Sequence, residues 1–146
     1  MKPPFWIEAD AKLPLTCHSV DGLISTLEDL QRAYLSKSMT SVGIHEAGKS
    51  FGEGDIVGIG IGIDPTYVTI LVKPCDGEFY ESVGDHRAGD EFVLGGFCNP
   101  VHVDWSRLVP WRLAVQAVRE FVEFGRRTAS IRWLDCEGKE IFELKK

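Results

Sequence analysis

Trp105-Ser106-Arg107-Leu108-Val109-Pro110-Trp111-Arg112-Leu113-Ala114-Val115-Gln116-Ala117-Val118-Arg119-Glu120-Phe121-Val122-Glu123-Phe124-Gly125-Arg126-Arg127, followed by Ser130-Ile131-Arg132-Trp133, contains a helix with both of its ends and the strand after it. Pro110 suits the first helical position, where its missing N–H has no partner to lose. Leu113, Ala114, Ala117, Val118, Phe121 and Val122 recur at helical spacing and predict one buried face, which Phe124 extends. Gly125 suits a left-handed C-terminal cap, and Arg126 and Arg127 bring positive charge to the negative end of the helix dipole. Arg119 falls away from the apolar stripe and is expected to face solvent. Ile131 and Trp133 then alternate with Ser130 and Arg132, as a strand requires.

Upstream, Phe5 and Ile7 lie on one side of a first strand over residues 5–9. Ser19 or Asp21 can cap a helix starting near Gly22, with Leu23, Ile24, Leu27, Leu30, Tyr34 and Leu35 as its buried stripe. Residues 41–46 read as a strand and 47–54 as a glycine-rich turn. Stronger strands cover 55–63, 67–72, 78–83 and 91–94, with Asp64-Pro65 and Cys75-Asp76-Gly77 as turns. Residues 97–104, which contain Pro100, read as irregular. The chain closes on strands at 130–134 and 140–144. Short turns between successive strands imply antiparallel neighbours. The fold class is therefore α+β: a mainly antiparallel sheet of about 5–7 strands carrying two principal helices, in one domain over residues 1–146.

The chain has 146 residues, a net charge of −6 and 44% hydrophobic residues, the proportions of an ordinary globular domain. Its apolar runs fall short of the ~20 residues needed to span a bilayer. Glu8 and Asp10 interrupt any secretory apolar region near the N-terminus, so a cytoplasmic location is expected. In that compartment the scattered Cys17, Cys75, Cys98 and Cys136 read as reduced thiols. The acidic balance argues against direct nucleic-acid binding. The charge is unevenly placed: residues 73–104 carry Asp76, Glu78, Glu81, Asp85, Asp90, Glu91 and Asp104 against Lys73 and Arg87. The tail from Trp105 onward is basic. Two readings fit the acidic middle: solvated loops, or a face that meets a basic partner.

Motifs for catalysis are missing. Gly58-Ile59-Gly60-Ile61-Gly62 lies within a strand and is followed by Ile63-Asp64-Pro65, whereas phosphate loops run from a strand through a glycine turn into a helix. The pattern gives one bulky face (Val57, Ile59, Ile61, Ile63) and one nearly bare face that a helix, a partner or a small molecule can approach. Cys98 and His102 have tolerable spacing for zinc but lack a second pair, so no metal or other cofactor is expected. Asp85-His86 with Cys75 or Cys98 could pair a base with a nucleophile, a coincidence that any chain with several Cys and His offers. The nucleophile elbow, the zinc-protease helix and the zinc-deaminase signature are absent. Trp6, Trp105, Trp111 and Trp133 read as core or core-edge residues. Trp105 and Trp111 bracket the helix start, where a partly exposed tryptophan is a natural interface anchor.

The segment from Val109-Pro110 to Trp133 resembles the first-numbered immunity-protein family of bacterial polymorphic toxin systems, often paired with deaminase-type toxins. The resemblance rests on the amphipathic helix Leu113-Ala114-Val115-Gln116-Ala117-Val118-Arg119-Glu120-Phe121, the Gly125-Arg126 stop and a strand ending in Trp133. It covers about a quarter of the chain in detail and the rest in layout: a first helix, a glycine-containing strand, a turn, an aromatic strand and an acidic loop. The family often has a proline after the arginine of the stop, where this chain has Arg127-Thr128. The resemblance implies a non-enzymatic protein that binds a cognate toxin domain and blocks it, with a nucleic-acid-directed deaminase as the expected toxin. The expected contacts, chosen on physical grounds, are Glu78, Glu81, Asp85, Asp90, Glu91 and Trp105. The competing expectation is a small-molecule-binding or enzymatic domain with a pocket beside strand 55–63. A homodimer is compatible with either.

Overall fold

The computed structural model describes residues 1–9, 14–33, 41–49, 53–61, 66–85, 91–94 and 101–141. Tyr34, Leu35, Gly62, Ile63, the Asp64-Pro65 turn, His86, Arg87, Asp90, Cys98 and residues 142–144 of the last expected strand lie outside that set.

Strand β1 (Phe5–Ala9) alternates as expected, with Phe5, Ile7 and Ala9 buried. After β2 (Leu15–Cys17), helix α1 (Val20–Ala33) begins where the Ser19 Oγ accepts the Gly22 N–H at 3.0 Å, satisfying a first-turn amide. Its Leu23, Ile24 and Leu27 are buried, and Leu30 packs on the core edge. The chain then returns to pair β3 (Ser41–Glu46) with the other side of β1. Strands β4 (Ile56–Ile61), β5 (Tyr67–Lys73) and β6 (Tyr80–Val83) follow as an antiparallel meander. Next come the separate hairpin β7 (Glu91–Leu94) and β8 (Val101–Asp104), a 3-10 turn over Trp105–Arg107, and the short β9 (Val109–Pro110). Helix α2 (Trp111–Phe124) and the hairpin β10 (Arg132–Leu134) and β11 (Glu140–Ile141) complete the order.

The main sheet runs β11-β10-β6-β5-β4-β3-β1-β2, with β9 also on β5, and its strand pairs among the described residues are antiparallel. The α+β class holds, but nine strands in one sheet plus a two-stranded ribbon exceed the expected five to seven. The strands not expected are β2 and β9, of three and two residues and too short for alternation to register, and β8. Residues 101–104 also correct the sequence reading: they form β8, because β7 supplies a partner through Phe92↔Val103 and Leu94↔Val101.

Both helices share a core with one face of the sheet, where Val42, Ile44, Val57, Ile59, Val68, Ile70 and Val72 meet Ala114, Ala117, Val118, Phe121 and Val122. Arg119 ties the helices together at their exposed edge, 3.0 Å from Asp21. The bulky side of β4 is thus explained by packing, through Val57 and Ile59. Gly125 closes α2 in the left-handed region (φ 66°), its N–H reaching the Phe121 carbonyl at 2.8 Å.

Two expectations at the ends of α2 are corrected. Pro110 is the N-cap rather than the first helical residue, because it still pairs with Tyr67 of β5. Phe124 is 62% exposed rather than buried. It lies beyond the last turn that touches the sheet, and the Arg126 guanidinium sits 4.7 Å from its ring centre. Trp133 does reach the core, with its indole N–H donating to the Thr128 carbonyl at 3.0 Å.

Candidate functional site

Of the acidic residues singled out from the sequence, Glu78, Glu81 and Asp85 lie on or beside β6, and the fold places each differently. β6 pairs with the second half of β5 through Leu71↔Glu81 and Val72↔Tyr80, while β9 pairs with the first half through Tyr67↔Pro110 and Val68↔Val109. At the changeover, the buried Ser82 hydroxyl accepts the Ile70 N–H at 3.0 Å and donates to the Arg107 carbonyl at 2.7 Å. One side chain thus satisfies two main-chain groups at the seam between two partner strands. Two residues on, the Gly84 N–H donates to the Ser106 carbonyl at 2.5 Å. The base of the β7–β8 excursion is therefore stapled to the end of β6.

Glu81 is held by Arg107, its Oε2 3.1 Å from Nη1. Arg132 lies across the same end, donating to the Gly84 carbonyl at 2.9 Å and pairing with Glu140 at 3.0 Å. Asp85 is fully exposed, with Arg132 at 4.0 Å. Glu78 is exposed at the opposite end of β6 and accepts a hydrogen bond from the Cys136 thiol of the β10–β11 turn. Glu91 opens β7 opposite Asp104, Trp105 opens the 3-10 turn, and Asp90 lies outside the described residues. The acids therefore do not form one uniform carpet. Arginines distant in sequence lie among them, and Glu78 and Asp85 are separated by the length of β6.

The Glu78 contact has a chemical consequence. The neighbouring carboxylate holds the proton on sulfur, so the Cys136 thiol, ordinarily near 9.0, is pushed up to about 11. Cys75, also exposed, is raised as well, by desolvation first and then by Asp76. This is the opposite of what activates a nucleophile. Alkylation of Cys136 is expected to keep accelerating toward pH 11, and Glu78→Gln should move the midpoint back toward 9.0. Rate measurements with iodoacetamide across this range test it, and equal midpoints would contradict the contact. Among the described residues no group of His, Cys, Asp and Glu is arranged to hold a metal ion.

A cleft of about 350 Å³ opens between the helices, lined by Glu28, Gln31, Arg32, Trp111, Arg112 and Val115. It lies in the helical layer, remote from the bare side of β4.

No helix among the described residues is long and apolar enough to cross a membrane. No curated protein matches the chain. The family model described as Immunity protein Imm1 matches residues 12–135, taking in both helices and strands β2 to β10. With most of its length so matched, the chain belongs to the Imm1 family of immunity proteins.

Proposed function

We propose that this protein neutralises a cognate bacterial toxin domain by binding over it, without catalysis, and that the toxin is a deaminase acting on nucleic acid. The observation that carries the reading is the family match over residues 12–135. The net charge of −6 supports it further, because an enzyme that grips a polyanion presents a basic channel, and an acidic inhibitor is steered toward one. The proposed contacts are Glu78, Glu81, Asp85, Asp90, Glu91 and Trp105, of which Glu78 and Asp85 are exposed carboxylates. Cytoplasmic residence, where such a toxin would do its damage, belongs to the same proposal.

Co-expression with the toxin domain encoded beside this gene tests the reading. Growth should be restored, a one-to-one complex should elute on size exclusion, and deamination of a cytosine-containing single strand should stop at stoichiometric inhibitor. Inhibition at far below one equivalent would point to catalysis instead. Rescue from a toxin of other chemistry would remove the deaminase assignment alone, and the absence of both rescue and complex would remove the whole proposal.

A further inference from the structure

Arg132 joins two segments far apart in sequence, residues 84–85 and β11. The register of β10 on β6 sets it opposite Val83, the last residue of β6. Its guanidinium uses both arms. Nη1 lies 3.0 Å from the Glu140 carboxylate of β11, and Nη2 donates to the Gly84 carbonyl at 2.9 Å. The same Nη2 lies 4.0 Å from the Asp85 carboxylate. Arg132 is 55% exposed, a setting in which ion pairs contribute little to folding. What these contacts place therefore matters more than what they stabilise.

The carbonyl that Arg132 holds belongs to the peptide leading into Asp85. That unit is planar, so fixing its oxygen also fixes its nitrogen and the Asp85 Cα. The preceding peptide is fixed separately, by the Gly84 N–H on the Ser106 carbonyl. Both peptides flanking Gly84 are thus held, one by the returning chain and one by the arginine. Glu140 completes the arrangement by holding Nη1, which sets the plane of the guanidinium and leaves Nη2 aimed at the carbonyl. A lysine head group has no such rigid fork and cannot fix the two contacts in one plane.

We infer that Arg132 is a positioning residue for toxin recognition: it aims the Asp85 carboxylate by holding the peptide in front of it, and Glu140 holds the arginine in turn. The inference rests on the immunity reading and on Asp85 as a contact within it. It gives a cation a part in a surface otherwise expected to act through its acids. Two effects of opposite sign separate this part from simple charge balance. As a charge, Arg132 opposes the approach of a basic toxin, so its removal should speed association. As a positioning group, it orders Asp85 before binding, so its removal should leave that ordering to the complex and speed dissociation.

The test uses the full chain and a catalytically inactive form of the toxin domain that co-expression identifies, with association and dissociation rates measured by surface plasmon resonance. Arg132→Ala is expected to raise the dissociation rate by roughly five- to tenfold without slowing association. It should melt within about 3 °C of the wild type. Arg132→Lys, which keeps the charge and loses the fork, should fall between the two. Asp85→Asn should weaken the wild-type complex by roughly threefold or more. Its effect should shrink once Arg132 is alanine, because the carboxylate is then no longer aimed. Arg126→Ala, at the C-terminal end of α2, should leave both rates unchanged.

A dissociation rate for Arg132→Ala within about twofold of wild type would overturn the positioning role. Additive losses from Arg132→Ala and Asp85→Asn would replace it with a direct contact, and tighter binding by Arg132→Ala would reduce Arg132 to an opposing charge. An Asp85→Asn complex as tight as the wild type would overturn the inference and leave the immunity reading standing. Failure of the wild-type protein to bind would remove both.

Discussion

Phe121→Ala is expected to cost about 3–5 kcal/mol of folding stability, much of what a domain of this size possesses. Phe121 is 1% exposed and belongs to the cluster that joins α2 to β4 and β5. Truncation loses the transfer free energy of the ring and leaves a void that Val118, Val122 and the sheet cannot collapse to fill. The backbone limits relaxation further, because the Phe121 carbonyl is fixed by the Gly125 cap at 2.8 Å. Urea unfolding followed by tryptophan fluorescence measures the cost. Phe124→Ala is the internal control: the same deletion three residues along, at a side chain 62% exposed, should fall within about 0.5 kcal/mol of wild type. Equal effects at the two positions would mean that α2 is rotated from the orientation described.

Gly84→Ala is expected to cost about 3 kcal/mol or more by a different route, overpacking against main chain. A Cβ on Gly84 would sit 1.7 Å from the Leu108 carbonyl oxygen and 2.8 Å from its carbon. Both are backbone atoms, so no rotamer change relieves the clash. What this glycine provides is room, since its backbone is not left-handed. Relief requires lifting the 106–108 segment off β6, which would strain the Gly84–Ser106 hydrogen bond and both contacts of the Ser82 hydroxyl. A fall in melting temperature of roughly 10 °C should follow. A variant melting within 2 °C of wild type, on the scale of ~0.5 kcal/mol, would place that segment elsewhere.

Local physics made much of the helical layer legible. The stripe from Ala114 to Val122, the Ser19 cap and the Gly125 stop each depend on residues within a few positions of one another, and the structure has all three. Strand alternation was equally local at Phe5, Ile7 and Ala9. Features set by distant partners could not be read. β9 is two residues long and exists because Tyr67 and Val68 lack β6 there. β8 was obscured by Pro100 and became a strand through pairing with β7. Phe124 continues the helical period, yet the sheet surface ends before it. The acidic residues stand out in the chain, but nothing near them announces Arg107 at Glu81 or Arg132 beside Asp85. Their charges are moderated by arginines 26 positions away in the first case.

The staple at the base of the β7–β8 ribbon separates two design problems within one chain. Gly84 and Ser106 are hydrogen-bonded, so the path leaves the sheet and returns to nearly the same point. Everything between is a closed excursion, and closure entropy grows only by about 0.6 kcal/mol for each doubling of its length. The β7–β8 ribbon can therefore change in length and composition while β5, β6 and β9 keep their register, because its base is fixed independently of what it carries.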